Sequence, residues 1–276
     1  MQTSKGNDIH TGMLHGVVKV PVTDLRALPD GKSERVNQAL FGAPVEIREV
    51  QKDFVEIALL DGYIGWCRIG HVDQVAFGPW KKYVARAKHR VKVEAILVKA
   101  SATAFIYPFR LYFGTELAIT EGEQTLRWEL PNGLRGPISA GSLAAPKEKR
   151  TKGVTGRRIV ATAKRFLGAP YLWGGITPAG FDCSGLVQAV FRFHGISLPR
   201  DTRDQIKEGF AIDRASLQPG DLLFSPGHVA ISCGGKEYIH ASASRGMVMI
   251  DSLDKSSPNY REDLDRDLQT ARRLSL

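Results

Sequence analysis

Phe181-Asp182-Cys183-Ser184-Gly185-Leu186 decides how this 276-residue chain is read. A capping side chain, Asp182, stands directly before a cysteine, and the cysteine opens an apolar run. Leu186, Val187, Val190 and Phe191 then fall on one face of a helix. Asp182 as N-cap and Gly195 after His194 bound that helix. Cys183 therefore sits in the first turn, where unpaired N–H groups and the positive dipole end favour a thiolate. Gly174-Gly175 and Gly180 lie just upstream and mark backbone in close approach to something. A lone cysteine is ordinarily a packing residue. This setting, with two histidines downstream, points to a nucleophile instead.

Working outward toward the C-terminus, the period changes to that of strands. Leu222–Ser225, His228–Cys233, Glu237–Ala241 and Met247–Asp251 are separated by Pro219-Gly220, Pro226-Gly227 and Gly234-Gly235 turns. Thr270–Leu274 reads as a closing strand, and upstream Thr155 caps a helix carrying Ile159, Val160, Ala163 and Phe166. Helices first and antiparallel strands second is an α+β arrangement. His228 opens one strand and His240 closes the next, so in a hairpin both rings lie at one end of the sheet. His228 would then take the thiol proton, and His240 would fix its tautomer and orientation. A zinc site needs more ligands at close spacing, and the sequence holds no C-x-x-C or H-E-x-x-H. No metal and no other cofactor is expected.

The first half of the chain reads as all-β, with apolar runs at Gly16–Val20, Pro44–Val50, Phe54–Leu60 and Tyr63–Cys67. Phe41-Gly42, Asp61-Gly62, Gly65 and Val72 recur as Phe113-Gly114, Asn132-Gly133, Gly136 and Leu143. Two small barrels, residues 1–75 and 76–150, are expected ahead of a third domain at 151–276, with a linker over 144–153. Of the net charge of +9, residues 76–154 supply the largest part, with 14 basic against 6 acidic side chains. Those basic residues alternate with Val91, Val93, Ala95 and Leu97, as on the wet face of a strand, so no nucleic-acid partner is expected. No apolar run approaches the roughly 18 residues of a membrane span, and Met1–His10 lacks the apolar region of a secretory signal. Three sparse cysteines, Cys67, Cys183 and Cys233, suit reduced thiols and a cytoplasmic location.

At the residues around Cys183 the chain resembles a known family. Pro170-Tyr171-Leu172-Trp173-Gly174-Gly175, Phe181–Leu186, Leu198-Pro199-Arg200-Asp201, Pro219-Gly220-Asp221-Leu222, Gly227-His228-Val229-Ala230-Ile231 and Tyr238-Ile239-His240-Ala241 follow in the order found in NlpC/p60 papain-like cysteine peptidases. Gly62-Tyr63-Ile64-Gly65-Trp66 is similar to a bacterial SH3-like hairpin. The whole resembles γ-D-glutamyl-L-diamino-acid endopeptidases of the dipeptidyl-peptidase VI type. That resemblance implies murein-derived peptides with a free N-terminal L-Ala as substrates. It implies Cys183 as nucleophile, His228 as base, His240 as third triad member and Tyr171 as an oxyanion donor beside the Cys183 N–H. It further implies Asp201 and Ser184 at the L-Ala amine, Trp173 and Thr202 as pocket walls, and Tyr63 closing the pocket. Where relatives often carry Gly-Glu, this chain has Gly42-Ala43.

The chemistry follows the same lines. An amide is a poor electrophile, so its hydrolysis needs a thiolate, an oxyanion donor and an acid for the leaving amine. A buried Asp201 would pair with an ammonium and disfavour acylated N-termini. Endopeptidases of the intact wall, a wall-peptide-binding protein with a degenerate peptidase domain, and an acyltransferase are the competing classes. The intact Cys183, His228 and His240 set stands against degeneration, and the polar Ser184, Asp201 and Thr202 set stands against an acyl channel.

Overall fold

The computed structural model describes residues 14–100, 107–122, 125–144 and 153–276. Met1–His10 and all but the ends of the expected linker fall outside the described residues. Strands β1 (Leu14–Val18), β2 (Val22–Arg26), β3 (Arg35–Leu40), β4 (Pro44–Gln51), β5 (Phe54–Leu59), β6 (Ile64–Arg68) and β7 (Val72–Val75) form one antiparallel sheet. Their order is β3-β2-β6-β5-β4-β1-β7. Val18, Leu25, Val45, Val55, Ile57 and Cys67 fill its core. The apolar runs read from sequence correspond to β1, β4, β5 and β6. Strand β3 carries Asn37 and Gln38 into the interior, which removes the apolar alternation that would have announced it.

Helix α1 (Phe77–Arg86) leads into a second β unit made of β8 (Ala87–Val91), β9 (Ala95–Val98), β10 (Phe109–Tyr112), β11 (Glu116–Glu121), β12 (Leu126–Glu129), β13 (Arg135–Ile138) and β14 (Leu143–Ala144). Five of these strands form a sheet in the order β13-β12-β11-β8-β14, and β9 pairs with β10. The expected basic strand is therefore corrected in two places. Lys81, Lys82 and Arg86 lie on α1, and Arg90 is buried rather than solvated, bonding Glu116 Oε1 at 2.9 Å and the Phe193 carbonyl at 2.9 Å.

The sequence repeat has a structural counterpart. Gly42 and Gly114 take positive φ angles of 76° and 81°, and the phenylalanine before each is fully buried. Phe41 packs outside its own unit, 5.0 Å from Phe109 and 5.2 Å from Trp128 between ring centroids. Phe113 likewise packs on the third unit, 4.9 Å from Phe166 and 4.5 Å from Phe193. Each β unit thus drives one aromatic ring into the core of the next.

The third unit comprises α2 (Gly156–Lys164), the short ladder β15 (Ile176–Thr177) and β16 (Gly180–Phe181), α3 (Cys183–Phe193), α4 (Thr202–Gln205), and then β17 (Phe210–Ile212), β18 (Leu222–Ser225), β19 (His228–Gly234), β20 (Glu237–Ser242), β21 (Met247–Ser252), α5 (Glu262–Arg266) and β22 (Thr270–Arg273). Its antiparallel sheet runs β17-β22-β18-β19-β20-β21. Leu222, Phe224, Val229, Ile231, Ile239 and Ala241 share one core with the apolar faces of α2 and α3. Burying Leu186, Val187, Val190 and Phe191 stabilises α3 on the sheet by roughly 1.5–3 kcal/mol per side chain. Alternate residues, Leu223, Ala230 and Tyr238, pack with Leu253 on the opposite side. The mixed α+β arrangement agrees with the sequence. Among the described residues, no helix is long and apolar enough to cross a membrane.

Candidate active site

The start of α3 is fixed by a buried ion pair that reaches into the first β unit. Asp182 Oδ1 accepts the Gly185 N–H at 2.6 Å, capping the helix so that Cys183 is its first residue. Asp182 Oδ2 accepts the Gly174 N–H at 2.8 Å and Arg200 Nη2 at 2.6 Å. Arg200 also donates from Nη1 to Ser184 Oγ at 2.8 Å and from Nε to Asn37 Oδ1 of β3 at 2.8 Å. Asn37, Asp182, Ser184 and Arg200 are all buried. Every donor nitrogen of the guanidinium is used, as a charge held away from water requires. Gly174, with φ of 74°, is where the chain passes the first unit: a Cβ there would lie 2.7 Å from both Arg35 Cγ and the Arg35 carbonyl. The close approach signalled by the glycines is thus to protein.

Cys183 Sγ lies 3.9 Å from Thr202 Oγ1 and accepts from the backbone N–H groups of Val229 and Ser184. Contact with Val229 places the sulfur beside the start of β19, the strand that His228 opens. The expectation of a resting thiolate is corrected here. Burial, and then the adjacent Asp182 carboxylate, push the thiol up, and these outweigh the donors that favour the anion. The capping carboxylate that places Cys183 at the helix start also opposes its ionisation.

On the sheet, His228 Nε2 lies 2.7 Å from His240 Nδ1, with the rings at 82° and centroids 4.9 Å apart. Burial, followed by the neighbouring His240 and Arg261, brings His228 down to about 3. Both shifts favour the neutral thiol and the neutral imidazole over an ion pair. His240 Nε2 lies 3.1 Å from Oδ2 of Asp251, a residue with 0% exposure. In the sequence Asp251 is only the end of an expected strand. The available signal was an acid closing the apolar run Met247-Val248-Met249-Ile250.

Around the sulfur, Tyr171 is half-buried, and burial followed by the nearby Cys183 pushes its phenol up to about 12. Trp173 is 57% exposed at the rim; its Nε1 donates to Glu34 Oε1 at 2.8 Å, and its carbonyl accepts from Arg35 Nη1 at 3.2 Å. Tyr63, half-buried, donates to the Val36 carbonyl at 3.2 Å. Burial, then the Asp201 carboxylate, push its phenol up to about 12, so Tyr63 and Asp201 are neighbours across the two units. Asp201 differs from the buried carboxylate expected: its side chain is 32% exposed and pairs with Arg203 at 3.4 Å. Ser184 is buried, its hydroxyl donating to Asp182 and accepting from Arg200. Glu34, which sequence reading missed, adds a carboxylate at the rim. Ala43 lines a separate cleft of about 530 Å³ with Leu59, Leu198 and Pro199.

Residues 168–265 match the NlpC/P60 family, and residues 25–71 match the bacterial dipeptidyl-peptidase SH3 domain. Residues 168–265 belong to the NlpC/P60 family. Dipeptidyl-peptidase 6 of Lysinibacillus sphaericus is 29% identical over 265 residues, spanning 91% of this chain and 96% of that protein. The γ-D-glutamyl-L-lysine dipeptidyl-peptidase of Bacillus subtilis is 28% identical over 242 residues, spanning 79% and 76%. A crystal structure of an NlpC/P60 family protein from Bacillus cereus shares the fold, with a TM-score of 0.80 at 22% identity, covering 94% of this chain and 99% of that one. Among the described residues, including the NlpC/P60 region, no group of three or more His, Cys, Asp or Glu side chains is placed to hold a metal ion.

Proposed function

We propose that this chain is a cysteine peptidase that hydrolyses the bond between γ-D-Glu and an L-diamino acid in murein-derived peptides with a free N-terminal L-Ala. The observation that carries this is that the first β unit bonds the residues flanking Cys183, Asn37 accepting from Arg200. Tyr63 is set beside Asp201, and Glu34 is bonded to Trp173. A wall there limits how many residues precede the scissile bond, and carboxylates at the wall suit a terminal ammonium. Both β units are read as SH3-like barrels, the first belonging to the site and the second to the scaffold.

In the mechanism, the Cys183 thiol passes its proton to His228 as the sulfur attacks the amide carbon. The developing oxyanion is met by the Cys183 N–H, which has no partner within α3, and by the Tyr171 hydroxyl. With its phenol pushed up to about 12, Tyr171 remains a donor at neutral pH. The imidazolium of His228 then protonates the leaving amine, which departs with the diamino acid. Water, losing its proton to His228, cleaves the thioester and frees the dipeptide and the thiol. Thr202 and Trp173 border the reacting carbonyl, and Ser184, bonded to Asp182 and Arg200, helps hold the start of α3. We place this reaction in the cytoplasm, on soluble peptide fragments; cell fractionation tests that location.

The test of the activity is incubation with L-Ala-γ-D-Glu-L-Lys and with the meso-diaminopimelate analogue, reading products by mass. Release of L-Ala-γ-D-Glu is the expected result. An uncut tripeptide together with cleavage of longer, N-acylated stem peptides would replace this function with a wall endopeptidase.

A further inference from the structure

Asp251 is a carboxylate without any exposed surface, and a buried charge needs a reason to stand where it does. Strands β20 and β21 pair in antiparallel register, with Met249 opposite His240 and Asp251 opposite Tyr238. Asp251 is thus the diagonal neighbour of His240 on the same sheet face, within reach of its ring. Oδ2 takes His240 Nε2 at 3.1 Å, and Arg261 Nη1 lies 3.6 Å from the same oxygen. Arg261 is itself held by Asp263, with Nη2 to Oδ2 at 2.6 Å and Nε to Oδ1 at 2.9 Å. Tyr238, whose ring lies edge-on to His240 with centroids 5.2 Å apart, completes the surroundings.

We infer that Asp251 is a positioning residue of the catalytic relay, setting the tautomers of His240 and, through it, of His228. A carboxylate only accepts, so the hydrogen bond requires the proton on His240 Nε2. A neutral imidazole carries one ring proton, which leaves His240 Nδ1 as an acceptor. That nitrogen lies 2.7 Å from His228 Nε2, so the bond between them forms only if His228 carries its proton on Nε2. The bare, basic nitrogen of His228 is then Nδ1. One carboxylate, two rings behind the base, settles which nitrogen can accept a proton.

When the thiol reacts, its S–H bond breaks and an N–H bond forms at His228 Nδ1. No proton needs to move along the relay, and the Asp251 carboxylate faces the imidazolium charge at a distance. The groups facing the relay are Tyr238 from β20, Arg261 just before α5, and Asp263 within α5.

The inference rests on the cysteine-peptidase reading but not on the identity of the peptide, so two of its tests need no substrate. In the full chain, ¹⁵N chemical shifts of the histidine rings at neutral pH should show His228 protonated at Nε2 and His240 at Nε2. In Asp251→Ala, and in Asp251→Leu, each of which leaves His240 Nε2 without an acceptor, the tautomers should become mixed. Alkylation of Cys183 by iodoacetamide should slow about 10-fold or more. With peptide, kcat should fall about 10- to 100-fold while KM stays within about twofold. Unchanged tautomers and unchanged alkylation in a folded variant would overturn the assignment. If neither variant folds, the unsubstituted protein decides: His228 found protonated at Nδ1 would equally overturn it. Asp251-dependent alkylation in a protein that cuts none of the tested peptides would retain the relay and discard the substrate.

Discussion

The two β units share a repeat and use it alike, yet only one of them reaches the chemistry. Each buries the phenylalanine before a positive-φ glycine in its neighbour, Phe41 in the second unit and Phe113 in the third. Beyond that ring, the second unit meets the peptidase domain on its back, through Arg90 to the Phe193 carbonyl and Arg165 to the Lys92 carbonyl. The first unit meets it at the front, through Asn37 to Arg200, Gln38 to the Ile176 N–H, and Glu34 to Trp173. The difference lies in what β3 offers. Buried and rim polar side chains of one small unit bond the residues that flank the candidate active site, while an apolar ring holds units together.

The sharpest way to break that contrast is at Arg200. Arg200→Ala leaves Asp182 buried without its cation, costing about 3–5 kcal/mol. Denaturation should show that loss, and residual activity should fall with it because α3 loses its anchor. Phe113→Ala should cost a similar 3–5 kcal/mol in stability, as removal of a buried aromatic ring does. In that variant kcat/KM, measured below its unfolding temperature, should stay within about twofold of the parent. A large loss of turnover there would mean that the second unit also shapes the site.

Smaller effects sharpen the role of the first unit. Asp201→Asn removes one charge from a half-open site, so about 2 kcal/mol, or about 30-fold in kcat/KM on free L-Ala peptides, is expected. Tyr63→Phe removes a single hydroxyl whose partner is the Val36 carbonyl, and a loss of about 1 kcal/mol, mainly in KM, is expected.

The pH dependence follows from the neutral resting pair. His228 stays unprotonated to well below its ordinary 6.5, and Cys183 stays protonated above the ordinary thiol value. Over about pH 5 to 8, kcat/KM should therefore be flat, and an acid limb centred near 6.5 would contradict this. For stability, the unfolded chain protonates His228 below about 6.5, whereas the folded chain does so only near 3. That contribution is complete above about 6.5 and is lost as pH falls through the window between the two values.

Much of this is legible in the sequence. Helix α3 announces itself because a cap, a 3.6-residue apolar period and a terminating glycine agree. The strands of His228 and His240 announce themselves because they fill a core and are separated by Pro-Gly and Gly-Gly turns. Helix α1 did not, because Gly78-Pro79 and Lys81-Lys82 hide the spacing of Trp80 and Tyr83 that buries it. Strand β3 did not, because Asn37 and Gln38 serve partners about 140 to 160 residues away rather than a core of their own. The sequence misleads on the sign of the Cys183 shift for a related reason. A helix start favours an anion, but the side chain that makes the start is itself an anion.

The wall formed by the first unit is tested most directly by one ratio: kcat/KM for L-Ala-γ-D-Glu-L-Lys over that for its N-acetylated form. The parent enzyme should prefer the free amine by about 30-fold or more, a preference that falls toward unity in Asp201→Asn and persists in Phe113→Ala. Equal cleavage of the two peptides by the parent enzyme would show that the first unit does not close the cleft at the amine.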